Sequence, residues 1–243
     1  MKIALLGYGK MGKTIEGIIS ETETPQHEIV LKIDAYNIDE LTVGNLAKAD
    51  VAIEFSTPAT AFNNILKCFD AGLPVVVGTT GWLQHLPAAK QLCQEGKGTL
   101  FYASNYSIGV NILFEINRQL GALMGKRTEY IPAIHEIHHT EKLDAPSGTA
   151  ITLANDLLAV LPGKDKWVNH ASDYPNELPI FSYREPGVPG THTVVYDSVE
   201  DTIEIKHAAH SRKGFAKGAI LAAEWLIGKK GYFEMKDMLA LTR

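Results

Sequence analysis

The sequence predicts an α/β protein in which a parallel sheet, covered by helices on both faces, is joined to a second domain rich in strands. Over residues 3–103, apolar segments typical of buried strands alternate with helix-patterned segments, as expected of a parallel sheet. A glycine-rich loop follows the first strand, and two segments of alternating polarity come late in the chain. The 243 residues suffice for one large domain or two small ones, with buried cores.

The composition excludes several classes of protein. Hydrophobic residues make up 45% and charged residues 21%, which is ordinary for a soluble globular protein. No apolar run reaches the ~20 residues that span a bilayer. The net charge of −5 argues against a nucleic-acid-binding surface spread over the molecule. Cys68 and Cys93 have neither metal-site spacing nor a disulfide framework, so we expect both to be buried. We therefore expect a cytoplasmic protein with no nucleic-acid or membrane partner.

The first strand, residues 3–6, leads into the loop GYGKMGKT at residues 7–14. The three glycines of this loop fit the dinucleotide-binding fingerprint, whereas its first and last glycines with the following Lys-Thr fit the P-loop pattern. Both motifs bind phosphate on backbone N–H groups at a helix N-terminus. The loop is therefore compatible with hydride transfer and with phosphoryl transfer.

A second strand, residues 28–33, ends at Asp34. An acid about twenty residues past the glycines is where a dinucleotide-binding fold hydrogen-bonds the adenosine ribose. A P-loop enzyme has no use for it, and the remaining alternative is a solvated turn residue. The carboxylate would repel the 2′-phosphate of NADPH, and the following Ala35 and Tyr36 supply no arginine to bind that phosphate. These residues favour NADH over NADPH.

Three further apolar segments have the pattern of buried strands, and each leads into a loop of Gly, Ser, Thr or Asn. Ligands of parallel sheets bind beyond the carboxyl ends of the strands, so these loops are candidate binding segments, although their composition is also ordinary turn chemistry. A helix is predicted from residue 60 to about residue 71, between the first two of these strands. The strands are residues 51–55, 75–77 and 100–103, and the loops are residues 56–58, 78–81 and 104–106.

The later part of the chain predicts three helices and two strands. The second of these helices has Ser147 as its expected N-cap and Pro162-Gly163 after its end. Residues 164–189 predict a polar, loop-rich segment that contains Arg184. The predicted helices are residues 109–124, 149–161 and 216–227, and the predicted strands are residues 192–196 and 202–207.

Residues 135–139, HEIHH, match the zinc-protease pattern H-E-x-x-H. That pattern needs a helix, where positions four apart share a face. The preceding YIPAI segment indicates a strand or loop instead. On a strand, His135 and His139 would lie ~13 Å apart, too far for one zinc ion. We therefore expect no metal site here.

The same run of residues, 136–150, favours an active site. On an extended segment Glu136 and His138 face one side and His139 the other, and a turn would bring Lys142 back toward the histidines. Imidazole supplies a proton donor near neutral pH, and the helix opening after Ser147 offers N–H groups to a carboxylate. The run predicts a pocket for a dianionic, protonatable small molecule. The alternative is that the histidines are packing residues and the lysine is solvated.

The run EIHHTEKLDAPSGTA at residues 136–150 resembles the signature of the 4-hydroxy-tetrahydrodipicolinate reductase family of the diaminopimelate–lysine pathway. The resemblance extends along most of the chain. It includes the glycine loop, residues 55–56, GTTG at 78–81 and NYSIGVN at 105–111. It also includes SR at 211–212, FAKGA at 215–219 and GYFEMKD at 231–237.

The resemblance implies a Rossmann-like domain of residues 1–106 with 217–243. It also implies an α+β domain of residues 107–216, whose open mixed sheet binds substrate and assembles a homotetramer. The implied reaction reduces 4-hydroxy-tetrahydrodipicolinate, by way of dihydrodipicolinate, to tetrahydrodipicolinate. A nicotinamide supplies the hydride. The family often has Arg where Lys10 and Ala35 stand here, which again favours NADH over NADPH.

Position by position, the resemblance implies His138 as proton donor and acceptor and Lys142 as a second proton donor. The dicarboxylate substrate would be bound by His139, Ser147, Gly148 and Thr149. The cofactor, NADH, NADPH or both, would be bound by Gly7, Tyr8, Gly9, Lys10, Met11, Gly12, Asp34, Phe55, Gly78, Thr79, Thr80, Ala103, Ser104, Asn105 and Tyr106. Two other classes of function stay open: a P-loop kinase or ATPase, and a nicotinamide-sensing protein without catalysis.

Overall fold

A computed structural model describes residues 1–21 and 26–241 of the chain. The chain divides into two compact units, Met1–Ile108 with Lys213–Arg243, and Gly109–Arg212. These divisions lie two and four residues from the boundaries expected from the sequence, at 106/107 and 216/217. Residues 22–25 and 242–243 belong to the expected cofactor domain and lie outside the described residues. Each unit has its own sheet.

The first unit contains a six-stranded sheet in which every adjacent pair of strands is parallel. The strand order is β11-β5-β4-β3-β1-β2. The parallel sheet predicted from the sequence is thus confirmed. The strands are β1 (Lys2–Leu6), β2 (Glu28–Ile33), β3 (Val51–Glu54), β4 (Val75–Val77), β5 (Thr99–Tyr102) and β11 (Gly231–Phe233).

Helices cover both faces of this sheet, which explains why its central strands are mainly apolar and do not alternate apolar with polar residues. The buried Glu54 of β3 is a charged exception. Ala4 and Leu6 of β1 pack into a cluster with helices α3 and α4, whereas Ile3 and Leu5 pack into a second cluster with α1 and α7. The helices of this unit are α1 (Lys10–Ser20), α2 (Val43–Leu46), α3 (Pro58–Asp70), α4 (Leu86–Gln94), α7 (Lys213–Leu226) and α8 (Met235–Met238).

Strand β1 lies between β2 and β3, so the chain reverses its direction of progress through the sheet at this point. Open α/β sheets bind ligands in the crevice at the carboxyl ends of the strands where such a reversal occurs. Gly7 follows β1 and Phe55 follows β3, so both border that crevice. The N–H of Gly7 donates to the carbonyl of Ile33 at the end of β2, at 2.9 Å.

The second unit contains a five-stranded mixed sheet of order β10-β9-β6-β8-β7. Strand β9 runs antiparallel to β6 and β10, whereas β8 runs parallel to β6 and β7. Apolar side chains of two helices pack with one face of the sheet to form the core of the unit. The elements are α5 (Ile108–Met124), β6 (Ile131–His138), α6 (Gly148–Leu158), β7 (Lys166–Val168), β8 (Glu177–Arg184), β9 (Gly190–Asp197) and β10 (Thr202–Ala209).

The prediction that residues 164–189 form a polar, loop-rich segment is wrong, because they contain β7 and the eight-residue β8. Strand β8 does not alternate in polarity, since its first four residues are all buried, and Pro179 within it argues against a strand. Pro179 is tolerated because it pairs with the three-residue β7 at its edge. The short β11 was also missed.

Other predicted elements agree within a few residues. Helix α6 spans 148–158 rather than 149–161, and α7 spans 213–226 rather than 216–227. Cys68 and Cys93 are both buried free thiols, as predicted. None of the described helices is long and apolar enough to cross a membrane.

Candidate active site

Strand β6 carries an apolar core residue, a carboxylate and an imidazole in succession along one face. Ile134, Glu136 and His138 are 0%, 0% and 7% exposed, as period-two alternation requires. His135 points to the other face, where its ring stacks on that of Phe181 with centroids 4.9 Å apart. The expectation that H-E-x-x-H lies on a strand rather than a helix is therefore confirmed, and His135 and His139 do not form the zinc-protease pair.

Glu136 is a fully buried carboxylate that is held by hydrogen bonds. It accepts from the N–H of Ser147, at 3.0 and 3.1 Å to its two oxygens, and from Oγ of Ser182 at 2.7 Å. Burial raises its pKa, but the hydrogen bonds from these two serines outweigh burial, and the pKa of Glu136 lies below its ordinary value. The carboxylate is therefore ionised at neutral pH.

His138 lies beside this carboxylate. Its Nδ1 is 3.4 Å from Oε2 of Glu136 and makes no hydrogen bond in this geometry. Burial lowers the pKa of His138, and the negative charge of Glu136 opposes that effect. A protonated His138 is thus a stronger acid than ordinary imidazolium, which suits a proton donor.

His192 on β9 joins the same cluster. It pairs with Glu136 in the register of β6 and β9, and its Nε2 is 3.0 Å from Oγ of Ser147. Burial, followed by the nearby charge of His138, lowers the pKa of His192 to about 4, so the ring is neutral at physiological pH. His192 was not predicted as a site residue, because its proximity to Glu136 depends on the register of two strands.

A turn after β6 brings Lys142 back, as the sequence predicted. The N–H of Lys142 donates to the carbonyl of His139 at 3.1 Å, and its Nζ donates to both carboxylate oxygens of Asp144 at 2.8 Å. The guanidinium of Arg184 fixes the turn by donating to the carbonyls of Lys142 and Asp144 at 3.3 and 2.6 Å. Its Nη1 is also 3.7 Å from Oε1 of Glu136. Arg184 was missed as a site residue because its strand was expected to be a loop.

Helix α6 begins beside this cluster. Ser147 is its N-cap, as predicted, and its Oγ accepts from the N–H of Ala150 at 3.3 Å. Because Ser147 donates its own N–H to Glu136, all of its polar groups bond within the protein. The N–H groups of Gly148 and Thr149 have no acceptor among the described residues, and nothing lies within 4 Å of where a side chain of Gly148 would begin. Unpaired N–H groups at a helix N-terminus are suited to bind an anion.

Glu136, His138 and His192 are also the one group among the described residues with ligand atoms close enough to hold a metal ion, all within 4.8 Å. The hydrogen bonds that Glu136 accepts from two serines already satisfy a buried carboxylate without an ion. The buried carboxylate therefore does not require a metal ion to be stabilised.

In the first unit, the three glycines of the loop after β1 have different surroundings. A Cβ on Gly7, whose φ is +98°, would lie 2.1 Å from the carbonyl oxygen of Phe55, and a Cβ on Gly12 would lie 2.6 Å from the carbonyl oxygen of Gly7. A Cβ on Gly9 would meet nothing within 4 Å. These surroundings fit the three roles of the dinucleotide fingerprint: a tight turn, open approach to the pyrophosphate, and close packing of helix on strand.

A cavity of about 750 Å³ opens at the crevice between β1 and β3. Five of the predicted cofactor residues line it, namely Gly7, Tyr8, Gly9, Asp34 and Phe55. Lys13, Ser56 and Thr57 also line it; they lie in the two loops predicted to bind ligand but were not named individually as cofactor residues. Oδ1 of Asp34 accepts from the N–H of Tyr36 at 2.7 Å. The residues present fit a dinucleotide, with an acid at the ribose end and glycines at the phosphate end.

The other predicted cofactor residues lie on α1 or after β4 and β5 and do not line this cavity. Lys10 is exposed, Met11 is half-buried, and Gly78 packs against the ring of Phe55, where a Cβ would lie 2.0 Å from Cε1. The carbonyl of Thr79 accepts from Nε1 of Trp82, and the phenol of buried Tyr106 donates to the carbonyl of Val77 at 2.8 Å. Thr80 and Ser104 are exposed, Asn105 is half-buried and Ala103 is buried. Their contacts with cofactor stay predictions.

A glycine-loop crevice on a parallel sheet and a buried carboxylate–histidine cluster on a mixed sheet define a nicotinamide-dependent oxidoreductase. The chain belongs to the dihydrodipicolinate reductase family. Residues 1–106 match the family's "Dihydrodipicolinate reductase, N-terminus" and residues 109–239 its "Dihydrodipicolinate reductase, C-terminus". The resemblance inferred from the sequence is confirmed, and the P-loop kinase alternative is wrong.

Relatives with assigned activity support this membership over nearly the whole chain. A 4-hydroxy-tetrahydrodipicolinate reductase of Christiangramia forsetii is 48% identical over 240 residues, which cover 99% of this chain and 98% of the relative. One of Methanosarcina barkeri is 36% identical over 212 residues, covering 86% and 79%. The structure of a dipicolinate-bound dihydrodipicolinate reductase from Paenisporosarcina sp. TG-14 has the same fold, with a TM-score of 0.76, 23% identity and 98% coverage of both chains.

Proposed function

We propose that this chain reduces 4-hydroxy-tetrahydrodipicolinate, by way of dihydrodipicolinate, to tetrahydrodipicolinate in the diaminopimelate route to lysine. Bound NAD(P)H supplies the hydride, and the second unit binds the substrate and supplies the proton. The observation that carries this proposal is the junction of β6 and α6. There, a buried imidazole and an ionised carboxylate lie beside two unpaired N–H groups at a helix N-terminus.

The substrate is a dianion, and its carboxylates need fixed donors. The N–H groups of Gly148 and Thr149 supply two donors at the positive end of α6, and His139 is assigned to the same carboxylates. Ser147 fixes the position of this helix end, because its Oγ caps α6 and its N–H donates to Glu136. Binding one carboxylate at this helix end restricts the orientation of the ring that is reduced.

Proton transfer is assigned to His138 and Lys142. Reduction of the conjugated imine adds one hydride and one proton, so the site must supply a proton as the hydride arrives. His138 releases its proton readily because burial lowers the pKa of the ring. The ammonium of Lys142, bound by Asp144, is the second donor.

For the cofactor, we infer a preference for NADH over NADPH. Asp34 lines the crevice where the adenosine ribose is expected, and a carboxylate there attracts the ribose hydroxyls and repels a 2′-phosphate. Lys32 does not compensate, because its Nζ pairs with Glu16 at 3.1 Å. Lys13, which belongs to the glycine-rich loop, lines the same crevice.

We also infer a cytoplasmic homotetramer. The face of the second sheet opposite α5 and α6 carries partly exposed apolar and aromatic side chains, among them Ile137, Phe181 and Val195, with Tyr183 46% exposed. An uncovered sheet face with such side chains is suited to pack against other copies of the chain. Analytical ultracentrifugation of the purified protein measures this state, and a monomer at micromolar concentration would contradict it.

The activity is tested by following NADH consumption with dihydrodipicolinate as substrate. We expect His138→Gln and Lys142→Ala each to lower kcat by about 10²–10⁴-fold, the usual loss for a general acid, and pyridine-2,6-dicarboxylate to compete with substrate. His170→Gln and Lys126→Ala change exposed residues of the same unit and serve as matched controls. Near-normal turnover in the doubly substituted enzyme would refute the assignment. Binding of NADH without any turnover in wild type would favour a nicotinamide-sensing protein.

A further inference from the structure

Glu136 is more completely enclosed than any other charged group near His138, and the proton-transfer roles assigned above do not use it. It is 0% exposed, and two serines and the registers of β8 and β9 hold it in place. Ser182 of β8 and His192 of β9 are its partners on the two neighbouring strands. A buried carboxylate has a large desolvation cost, so its position beside a catalytic imidazole requires a physical explanation.

The two ring nitrogens of His138 have different surroundings. Nδ1 is buried, has no hydrogen-bond partner, and is 3.4 Å from Oε2 of Glu136. Nε2 lies toward Gly190, where a Cβ would come within 3.0 Å of it. A side chain at residue 190 would therefore crowd Nε2, whereas glycine leaves space beside that nitrogen.

We propose that Glu136 is the positioning residue for proton transfer. Its carboxylate accepts a hydrogen bond from Nδ1–H of His138 when the ring is protonated, so that Nε2 is the nitrogen that exchanges a proton with the substrate. This inference rests on the proposed function of His138. A carboxylate on one ring nitrogen fixes the tautomer and orientation of the other. Catalytic hydrogen bonds that are long in a free enzyme commonly shorten when substrate binds.

The same carboxylate links proton transfer to substrate binding. Glu136 accepts the N–H of Ser147, the N-cap of α6, so one buried group supports both His138 and the helix end assigned to the substrate carboxylate. Glutamine at this position keeps an oxygen that can accept from Ser147 and removes the negative charge. The variant Glu136→Gln therefore separates the two roles.

Several charged or titratable groups face His138 from the elements packed against it, and they set the sign of the expected change. Glu136 and Asp144 raise the pKa of His138, whereas Lys142 and Arg184 lower it. Neutral His192 lies on the neighbouring strand β9, with its ring centroid 5.0 Å from that of His138. Removing the charge at position 136 leaves the two cations less opposed, so the pKa of His138 must fall.

The test is an NMR titration of the His138 imidazole in the full-length enzyme without substrate, its resonance assigned by its loss in His138→Gln. An opposite charge within about 4–6 Å shifts a pKa by about 1–3 units, so we expect Glu136→Gln to lower the pKa of His138 by at least one unit. Glu136→Asp keeps the negative charge, so the pKa of His138 in this variant should lie between its values in wild type and in Glu136→Gln. Glu141→Gln, an exposed residue three positions after His138, is the matched control and should shift nothing.

Kinetics supply the second readout. We expect Glu136→Gln to lower kcat at neutral pH by about ten- to a hundredfold, with KM within threefold of wild type, because the helix cap is kept. An unchanged His138 pKa, or a KM that rises while kcat is kept, would overturn the positioning role and leave Glu136 a structural group. If Glu136→Gln does not fold, the pKa of His138 in Glu136→Asp is the test, and a value equal to that of wild type would overturn the positioning role. A wild type that titrates as expected but does not reduce dihydrodipicolinate would refute the proposed function instead.

Discussion

Gly9→Ala and Gly12→Ala add the same methyl group at two positions of one loop, and the structure predicts different consequences. Gly12→Ala should lower the stability of the protein, whereas Gly9→Ala should weaken NADH binding. A Cβ on Gly12 would lie 2.6 Å from the carbonyl oxygen of Gly7, well inside van der Waals contact. Helix α1 would have to move away from β1, and overpacking of this kind costs about 1–3 kcal/mol. We expect Gly12→Ala to lower the free energy of unfolding by that amount, even without cofactor.

Gly9 is the N-cap of α1, with φ of −86° and nothing within 4 Å of its missing Cβ. Alanine is less favourable than glycine at an N-cap but restricts the unfolded chain, and these two effects oppose each other. We expect Gly9→Ala to leave the free energy of unfolding within about 1 kcal/mol of wild type. Its methyl group would instead occupy space needed by the pyrophosphate, raising the Kd of NADH at least tenfold, or about 1.4 kcal/mol.

Urea denaturation without cofactor measures the first quantity, and NADH fluorescence titration measures the second. Gly17→Ala, within α1 and also without neighbours at its Cβ, is the control for alanine in this helix and should leave NADH affinity unchanged. The reasoning is refuted if Gly9→Ala destabilises the free protein as much as Gly12→Ala does. It is also refuted if Gly9→Ala binds NADH as well as wild type does.

Two further predictions concern Asp34 and His192. Asp34→Ala removes a charged hydrogen-bonding group worth about 1.5–3 kcal/mol, so the Kd of NADH should rise by about ten- to a hundredfold while that of NADPH changes less. An unchanged ratio of the two Kd values would place the ribose elsewhere. The pKa of His192 is lowered to about 4 in the folded protein, against about 6.5 when unfolded, so its contribution to stability is complete above the unfolded pKa and is lost as pH falls toward 4. That loss is about 3 kcal/mol, and urea denaturation from pH 7.5 down to 4.5 should show a weaker pH dependence in His192→Gln. An equally steep dependence in the variant would assign the acid sensitivity to other groups.

Local sequence patterns determined much of this fold. The mainly apolar segments of residues 3–6, 51–55 and 75–77, in which Glu54 is the one charged residue, identified central parallel strands. A strand covered on both faces does not alternate apolar with polar positions. The glycine spacing at residues 7–12 and the acid at Asp34 identified the dinucleotide loop. Each glycine there has a separate backbone role: a tight turn, open approach to the pyrophosphate, or close packing of helix on strand. Alternation along residues 134–138 correctly placed Glu136 and His138 on one side of a strand.

Other features depended on contacts between distant segments and had no local signal. Strand β8 was missed because Pro179 and a run of four buried residues do not resemble an alternating strand, and its pairing with β6 was therefore not predicted. Arg184 was left in a loop for the same reason. Strand β11 was missed because three residues are too few to show a period.

The sequence by itself determined which residue types are proposed to carry the chemistry: an imidazole, a lysine and a helix N-terminus within residues 136–150. Only the tertiary structure decided how they are supported, because His192 and Ser182 meet Glu136 through the registers of β9 and β8, 56 and 46 residues after it in the chain. A hydrogen bond across strands depends on register and not on sequence distance. The buried carboxylate at the centre of the cluster, which the sequence showed only as one member of H-E-x-x-H, becomes a candidate positioning residue once those strands are paired.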